Sequence, residues 1–427
     1  MNTLTRSLIG LVLAVLLLVR PDSALAGTGG ERDSLQRAVL GAIRSCATYA
    51  SNVLLDAKGE SRCEYDLLAG KWQPYEPAWH TGQIIYGLLE AYRLTGDTAY
   101  LAAAKRGGEW WMSLQIRDHP VLAGMLRAIH GAGINAIIFA TVSDGTNGIF
   151  ELSRVTGDPR YAGVATEAGR WMLKHMYVPG DRIFYDAVDP ATGEIQKLRS
   201  PFWAEKPVQV LTDVARPNNE GYLFLDMFRF TGDTSYFRVF VDVCEGLVEK
   251  QGPEGLWMDF TPNNKAKGSF HPRFNLWYAE SLIQGYELTR RREFLDAALR
   301  TLRWYTKFQK KDGTIFYDNF LNGSSIESSP SGSTVAFAGL LWLQLYRHGV
   351  GEEFSGNIER SFRWIMHSRF SVSHPDPNLA GGVYNLRARG KGEGMAVVQR
   401  DLGTSFGLRF LAAYYRHTFQ AKPEGGE

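Results

Sequence analysis

Three near-identical hexapeptides, TGDTAY from Thr95, TGDPRY from Thr156 and TGDTSY from Thr231, constrain this chain more than any other feature. Each lies between two stretches of helical apolar periodicity, so each joins two helices. Gly96, Gly157 and Gly232 suit the left-handed position that stops a helix, and Asp97, Asp158 and Asp233 suit the N-cap that starts the next. Pro159 fits the first helical position after its cap. The repeat is therefore architecture, a helix-to-helix turn, and the chemistry must lie elsewhere.

Anchored on these turns, the chain divides into six helix pairs. First helices are expected near 33–54, 98–116, 158–176, 234–250, 292–310 and 355–369, and their partners near 80–95, 132–155, 218–231, 274–289, 332–347 and 403–418. The partners hold smooth apolar runs such as STVAFAGLLWLQLY, whereas the first set carries charged faces such as RREFLDAALRTLRWYTKF. One ring is thus inside and the other outside. This predicts an all-α fold, the (α/α)6 toroid of six helical hairpins. Connections from inner to outer helix are short. Those from outer to inner helix, at 55–79, 117–131, 177–217, 251–273, 311–331 and 370–402, are long, collect on one rim, and carry some β-hairpin content. Long loops in a compact domain usually carry function, and this rim also holds the N-terminal, positively polarised ends of the inner helices.

Composition narrows the partners. The 47 basic and 45 acidic side chains give a net charge of +2 without any basic or acidic block, which excludes a nucleic-acid footprint. Eleven Trp and 19 Tyr supply flat amphipathic surfaces suited to sugar rings. Arg6, the apolar run LIGLVLAVLLLV and the ALA at 24–26 read as a signal peptide over residues 1–26, followed by a single domain over 27–427. The expected location is secreted or periplasmic, with no transmembrane segment after signal removal. In such a compartment Cys46 and Cys63 are able to bridge, while Cys244 reads as a buried thiol. No metal or cofactor is expected.

The loop-to-helix junctions of the long-loop rim read YEPAWHTGQ, AIHGAGINA, DVARPNNEGY, SFHPRFNLWYAES, IESSPSGST and VVQRDLGTS. Trp79 and Trp203, with Trp277, are candidates to stack on sugar faces. Arg216, Arg273, Arg387 and Arg400 are candidates to hold a carboxylate, assisted by the amides of Asn135, Asn218, Asn219 and Asn275. His80 and His271 fall on the same rim. Glu220, after ARPNN, is placed as a proton donor in the first turn of an inner helix; Glu280 lies one helix further on and deeper, where burial demands a partner such as Arg273. Asp401, three residues before Thr404, has the position of an N-cap beside the site.

The stretch HTGQIIYGLLEAYRLTGDTAYL resembles the hairpins of the six-hairpin glycosidase superfamily, which includes unsaturated glucuronyl hydrolases, lyases and epimerases. Residues 275–417 more closely resemble the C-terminal domain of glucuronyl C5-epimerases, through LIQGYELTRRREFLDAALRT, TIFYDNF, IESSPSGSTVAFAGL, GGVYNLR and RDLGTSFGLRFL in that order. That resemblance implies a catalytic tyrosine at Tyr384, a carboxylate-binding arginine at Arg387 and an active-site acid at Glu327. Two tyrosines of the family pattern are missing, one beside this acid and one replaced by Leu402, and Tyr317 or Tyr278 would have to stand in for them. The implied activity is C5 proton abstraction on an acidic, uronate-containing polysaccharide, as epimerase or lyase. Such a reaction needs a cationic clamp on the carboxylate and a base at C5. The alternatives are hydrolysis by two carboxylates, Glu220 and Glu280, and a sugar-binding toroid without catalysis.

Overall fold

The computed structural model describes residues 29–131, 135–197, 215–391 and 394–420. The expected leader and Trp203 fall outside these residues. The chain divides into Met1–Ala38 and Val39–Glu427, and the site described below belongs wholly to the second unit.

Twelve helices of nine residues or more are present among the described residues. They are α1 (Gly29–Tyr49), α2 (Pro77–Thr95), α3 (Thr98–Ser113), α4 (Thr146–Thr156), α5 (Pro159–Met176), α6 (Leu223–Thr231), α7 (Thr234–Lys250), α8 (Phe274–Thr289), α9 (Arg292–Thr306), α10 (Gly332–Arg347), α11 (Ser355–His367) and α12 (Leu402–Tyr415). The even-numbered helices form the inner ring. α2 packs on α4 and α12, α12 on α10, α10 on α8, and α8 meets the 3-10 turn Glu220–Tyr222 that leads into α6, which packs on α4. The expected (α/α)6 toroid is the observed fold.

The sequence pattern explains which ring each helix joins. Every residue of α12 is buried. α9 instead buries a stripe that includes Phe294, Leu295, Ala298, Leu302 and Tyr305, and turns its arginines outward, as an amphipathic outer helix must. Between inner helices the backbones come close because small residues face each other. A Cβ on Gly82 would lie 2.2 Å from the carbonyl oxygen of Gly145, and one on Gly148 would lie 2.0 Å from that of Gly82. The three TGD turns have the expected geometry: Gly96, Gly157 and Gly232 have φ of 71°, 71° and 75°. Asp97, Asp158 and Asp233 accept from the backbone N–H groups of Ala99, Arg160 and Ser235 at 2.9, 3.0 and 2.8 Å. The α8–α9 turn keeps this geometry with a different residue, Arg290 at φ 60°.

The long loops fold into small antiparallel sheets that deliver side chains to their rim. Leu386–Lys391, Gly394–Arg400, Glu64–Asp66 and Lys71–Gln73 form one sheet in that order, with Glu64 opposite Arg400. Ser325–Pro330, Phe316–Phe320 and Ser269–Phe270 form a second. Ile183–Tyr185 pairs with Ala215–Arg216 in a third, placing Arg216 opposite Phe184.

Two expectations are corrected here. The helix expected over 132–155 is not continuous: a short turn of helix, Phe139–Ser143, stops before Gly145, and α4 begins at Thr146. Cys46, Cys63 and Cys244 are buried free thiols, so no bridge joins Cys46 to Cys63.

Candidate active site

A cavity of about 420 Å³ opens on the long-loop rim. One side of it is acidic. The break before Gly145 leaves Asp144 at the mouth end of the barrel, buried to 5% exposure. Glu220, at 3% exposure, opens the turn into α6. Gly221 brings the two backbones together: at φ 67°, a Cβ there would lie 2.2 Å from the Ser143 carbonyl oxygen and 3.2 Å from the Asp144 Cα. Only glycine permits both that dihedral and that approach.

Arg216 ties this side together. Its Nη2 lies 3.0 Å from Asp186 Oδ1 and 3.2 Å from Glu220 Oε2, and its Nη1 donates to the Thr261 carbonyl at 3.2 Å. Nη1 also donates to Glu220 Oε1 at 3.5 Å, while Oε2 makes only the ionic contact. One guanidinium thus serves a group of buried carboxyls, and all of them cannot ionise together. Burial pushes Glu220 up to about 7, with Asp186 adding to the rise and Arg216 opposing it. Burial and then the nearby Glu220 push Asp144 well above the usual carboxylate range. Burial thus biases both Asp144 and Glu220 toward their protonated forms.

The other side is cationic. Arg273 is 3% exposed, donates to Ser333 Oγ at 2.9 Å, and leaves its Nε without a partner. Burial, and then the positive charges of Arg400 and Arg387, lower it to about 10. Arg387 stacks over Tyr317, with its Cζ 4.2 Å from the ring centre. Arg400 pairs with Glu64 at 2.9 Å. His271 lies among these guanidiniums, and burial followed by their charge holds it neutral. Its Nδ1 accepts from the backbone N–H groups of Arg273 and Phe274 at 3.3 and 3.2 Å. The neutral ring must then carry its proton on Nε2 and donate it to Tyr317 Oη, 3.0 Å away.

Trp79 and Trp277 supply flat walls between the two sides. Trp79 is fixed by a 2.7 Å hydrogen bond from Nε1 to Glu76 Oε2. Burial alone would raise the Glu76 carboxyl, but its pairing with His130, the nearby His80 and the Trp79 bond lower it to about 2. Glu76 is thus a fixed anion.

Of the residues singled out from the sequence, Glu220, His271, Tyr317, Trp79, Trp277, Arg216, Arg273, Arg387 and Arg400 line this cavity. Others stand behind it. Asn218 donates to Asp186 at 3.1 Å, and Asn219 holds Phe240 O and Cys244 Sγ at 3.2 and 3.3 Å. Asn275 caps the Trp257 N–H at 3.1 Å, and Tyr278 is fully buried against Trp257 and Phe274. His80 and Asp401 form a buried pair at 2.7 Å; Asp401 also accepts from Ser61, so its cap position serves a side-chain network.

Four assignments fall away from the cavity. Glu280 sits toward the other end of the barrel, paired with Arg409 at 2.8 Å and not with Arg273. Glu327 lies on a sheet edge, 62% exposed and paired with Lys310 at 2.8 Å. Tyr384 packs its ring edge-on to Phe370 at 4.6 Å and does not line the cavity. Asn135 is exposed and also outside the lining.

Cys63, His80 and Asp401 bring one ligand atom each within 4.8 Å of one another, the group among the described residues best able to hold a metal ion. The cluster lies behind the cavity wall, and its Asp401 oxygens are already taken by His80 and Ser61.

The sequence matches no protein-family model and no curated protein. Similarity appears in three dimensions. A heparin-specific unsaturated glucuronyl hydrolase superposes with TM-score 0.64 at 13% identity, covering 91% of this chain and 98% of that one. The unsaturated glucuronyl hydrolase of Bacillus sp. GL1, described as degrading glycosaminoglycan, gives 0.62 at 15% identity over 90% and 97%. The cellobiose 2-epimerase of Bacillus thermoamylovorans B4167 gives 0.65 at 12% identity over 88% and 99%. At these identities the likeness establishes the shared toroid fold alone.

Proposed function

We propose that the protein is a carbohydrate-active enzyme that cleaves glycosidic bonds in uronate-containing saccharides, with Asp144 and Glu220 as its acid–base pair. The observation that carries this reading is the placement of two buried carboxyls, Asp144 and Glu220, whose backbones meet at Gly221, opposite arginines in a tryptophan-walled cavity. A glycosidic oxygen needs a proton as it leaves, and a neighbouring carboxylate must stabilise the cationic sugar or activate water. In this proposal Asp144 and Glu220 divide these needs, one donating its proton and the other acting ionised, with Arg216 beside Glu220. Arg273 and Arg387 are the groups for a substrate carboxylate, because charge-assisted pairing would satisfy the unmatched donors of Arg273. The solved structures sharing the fold include hydrolases and an epimerase of saccharides, which supports the substrate class. The leader read over residues 1–26 makes it an exported enzyme in this proposal.

One arrangement supports a second reading, C5 proton abstraction. Tyr317 lines the cavity, accepts from neutral His271 and lies beneath Arg387, next to the groups assigned to a substrate carboxylate. Incubation with uronate and neutral oligosaccharides in heavy water separates the readings. Hydrolysis yields saturated reducing ends and no deuterium at C5. Deuterium at C5 without cleavage, or unsaturated ends that absorb in the ultraviolet, would replace the hydrolytic reading with epimerase or lyase chemistry.

A further inference from the structure

The toroid has a second cavity, of about 730 Å³, at the opposite end, among the C-terminal halves of the inner helices and the short TGD turns. Its volume is within the range of small-molecule sites. Tyr86, Phe150 and Tyr222 form aromatic walls, and Phe230 stands 42% exposed at the lip, edge-on to Phe150 at 6.2 Å. Five polar atoms of lining residues have no hydrogen-bond partner: Glu280 Oε2, Gln344 Oε1, Arg409 Nε, Asn147 Nδ2 and Glu151 Oε1, the last ion-paired with Arg93. Three of these residues are 2–3% exposed.

Unmet buried groups cost about 1–3 kcal/mol each, so their concentration in one cavity needs a reason. The set contains three acceptors, two of them carboxylate oxygens, and two donors. An inorganic anion satisfies donors only and leaves the acceptor oxygens of Glu151, Glu280 and Gln344 unmet. A purely apolar ligand satisfies neither kind. Vicinal hydroxyls donate and accept at once, and the C–H faces of a sugar ring pack on aromatic rings. We propose that this end of the barrel is a second saccharide-binding site, sized for a mono- or disaccharide, distinct from the long-loop cavity. It stands on these residues and does not depend on the reaction assigned to the other end.

The test is isothermal titration of the full chain with D-glucuronate, D-glucose and inorganic sulfate as separate probes. Phe230→Ala is exposed enough to leave folding intact, and Gln344→Leu removes an acceptor by a different route. Saturable binding of at least one sugar is expected. Phe230→Ala should weaken it about tenfold, the weight of one aromatic contact. Gln344→Leu should weaken it roughly fivefold, and for D-glucose, which lacks the carboxylate assigned to the long-loop cavity, Arg387→Ala on the opposite rim should change it less than about twofold. Sugar binding that Arg387→Ala abolishes and Phe230→Ala leaves unchanged would overturn the proposal. Saturation by sulfate alone, or by no probe, would do the same.

Discussion

Glu220 shows how a single side chain sets both pH dependence and mechanism. Its carboxyl rises from an ordinary 4.5 to about 7 on folding. The folded state thus keeps a proton that the unfolded chain has released, and this contribution to stability is complete below pH 4.5 and lost as pH rises through 7. Stability measured by urea unfolding should fall between pH 5 and 7.5, and Glu220→Gln should flatten that slope. If the same proton is the general acid of the proposed hydrolysis, kcat/KM should also decline above pH 7. Glu220→Gln and Asp144→Asn should each lower kcat about 10²–10⁴-fold, the usual weight of a general acid or base, while circular dichroism stays unchanged. Arg273 acts on binding instead. Arg273→Ala should reduce kcat/KM for an acidic substrate roughly 10- to 100-fold, the weight of a charged hydrogen bond, and leave a neutral analogue unaffected. Equal losses on both substrates would show that the arginine is structural.

At the scale of elements, the glycines decide where the acids meet. Gly221→Ala would place a side chain at φ 67° and 2.2 Å from the Ser143 carbonyl. The left-handed dihedral alone costs roughly 1–2 kcal/mol, and the clash must displace the segment that carries Asp144. Gly221→Ala should therefore lose stability and at least about tenfold in kcat, assuming the acid pair is the catalyst. Asp97→Ala, in a TGD turn far from the chemistry, should cost about 1 kcal/mol in urea unfolding with kcat unchanged. The contrast follows what was legible in the sequence. TGD carries its own stop and start signals, so the helix pairing and the quiet rim could be read directly. Asp144 could not, because an apolar run from 132 to 155 looks like one helix and makes it a mid-helix residue. The signal was present in SDGTNG, where two glycines three residues apart let α2 approach and the helix break. Tyr317 sits on a short strand and Asp186 between two short strands inside long loops, whose pairing depends on partners distant in sequence. Glu280 was misplaced for a related reason: facing the barrel axis does not say at which end a residue acts. Glu327 and Tyr384 came from resemblance, and the local sheet turns them elsewhere.

The whole molecule is closed along its axis by one buried chain of polar contacts. Gln83 Nε2 donates to the Asp144 carbonyl and, at 3.2 Å, to Asn147 Oδ1. Gln83 Oε1 accepts from Arg409 Nη1 at 2.9 Å, and Arg409 Nη2 reaches Glu280 Oε1 at 2.8 Å. α2, α12 and α8, far apart in sequence, are thereby pinned together, and the backbone of Asp144 at the mouth is joined through the barrel to the opposite cavity. Burial raises Glu280, and Arg409 opposes that rise. Removing only the arginine strands a carboxyl in the core, a loss of about 3–5 kcal/mol, whereas replacing both partners with apolar groups is often nearly neutral. Arg409→Met should therefore lower the urea midpoint sharply, and Arg409→Met with Glu280→Leu should recover most of that stability. Activity should not recover with it. Gln83 still lacks its donor in the double variant, its amide is free to rotate, and the Asp144 backbone loses a fixed contact. A double variant that is stable yet slower than wild type would identify the chain as a support for the acid pair. Full recovery of both would reduce it to packing.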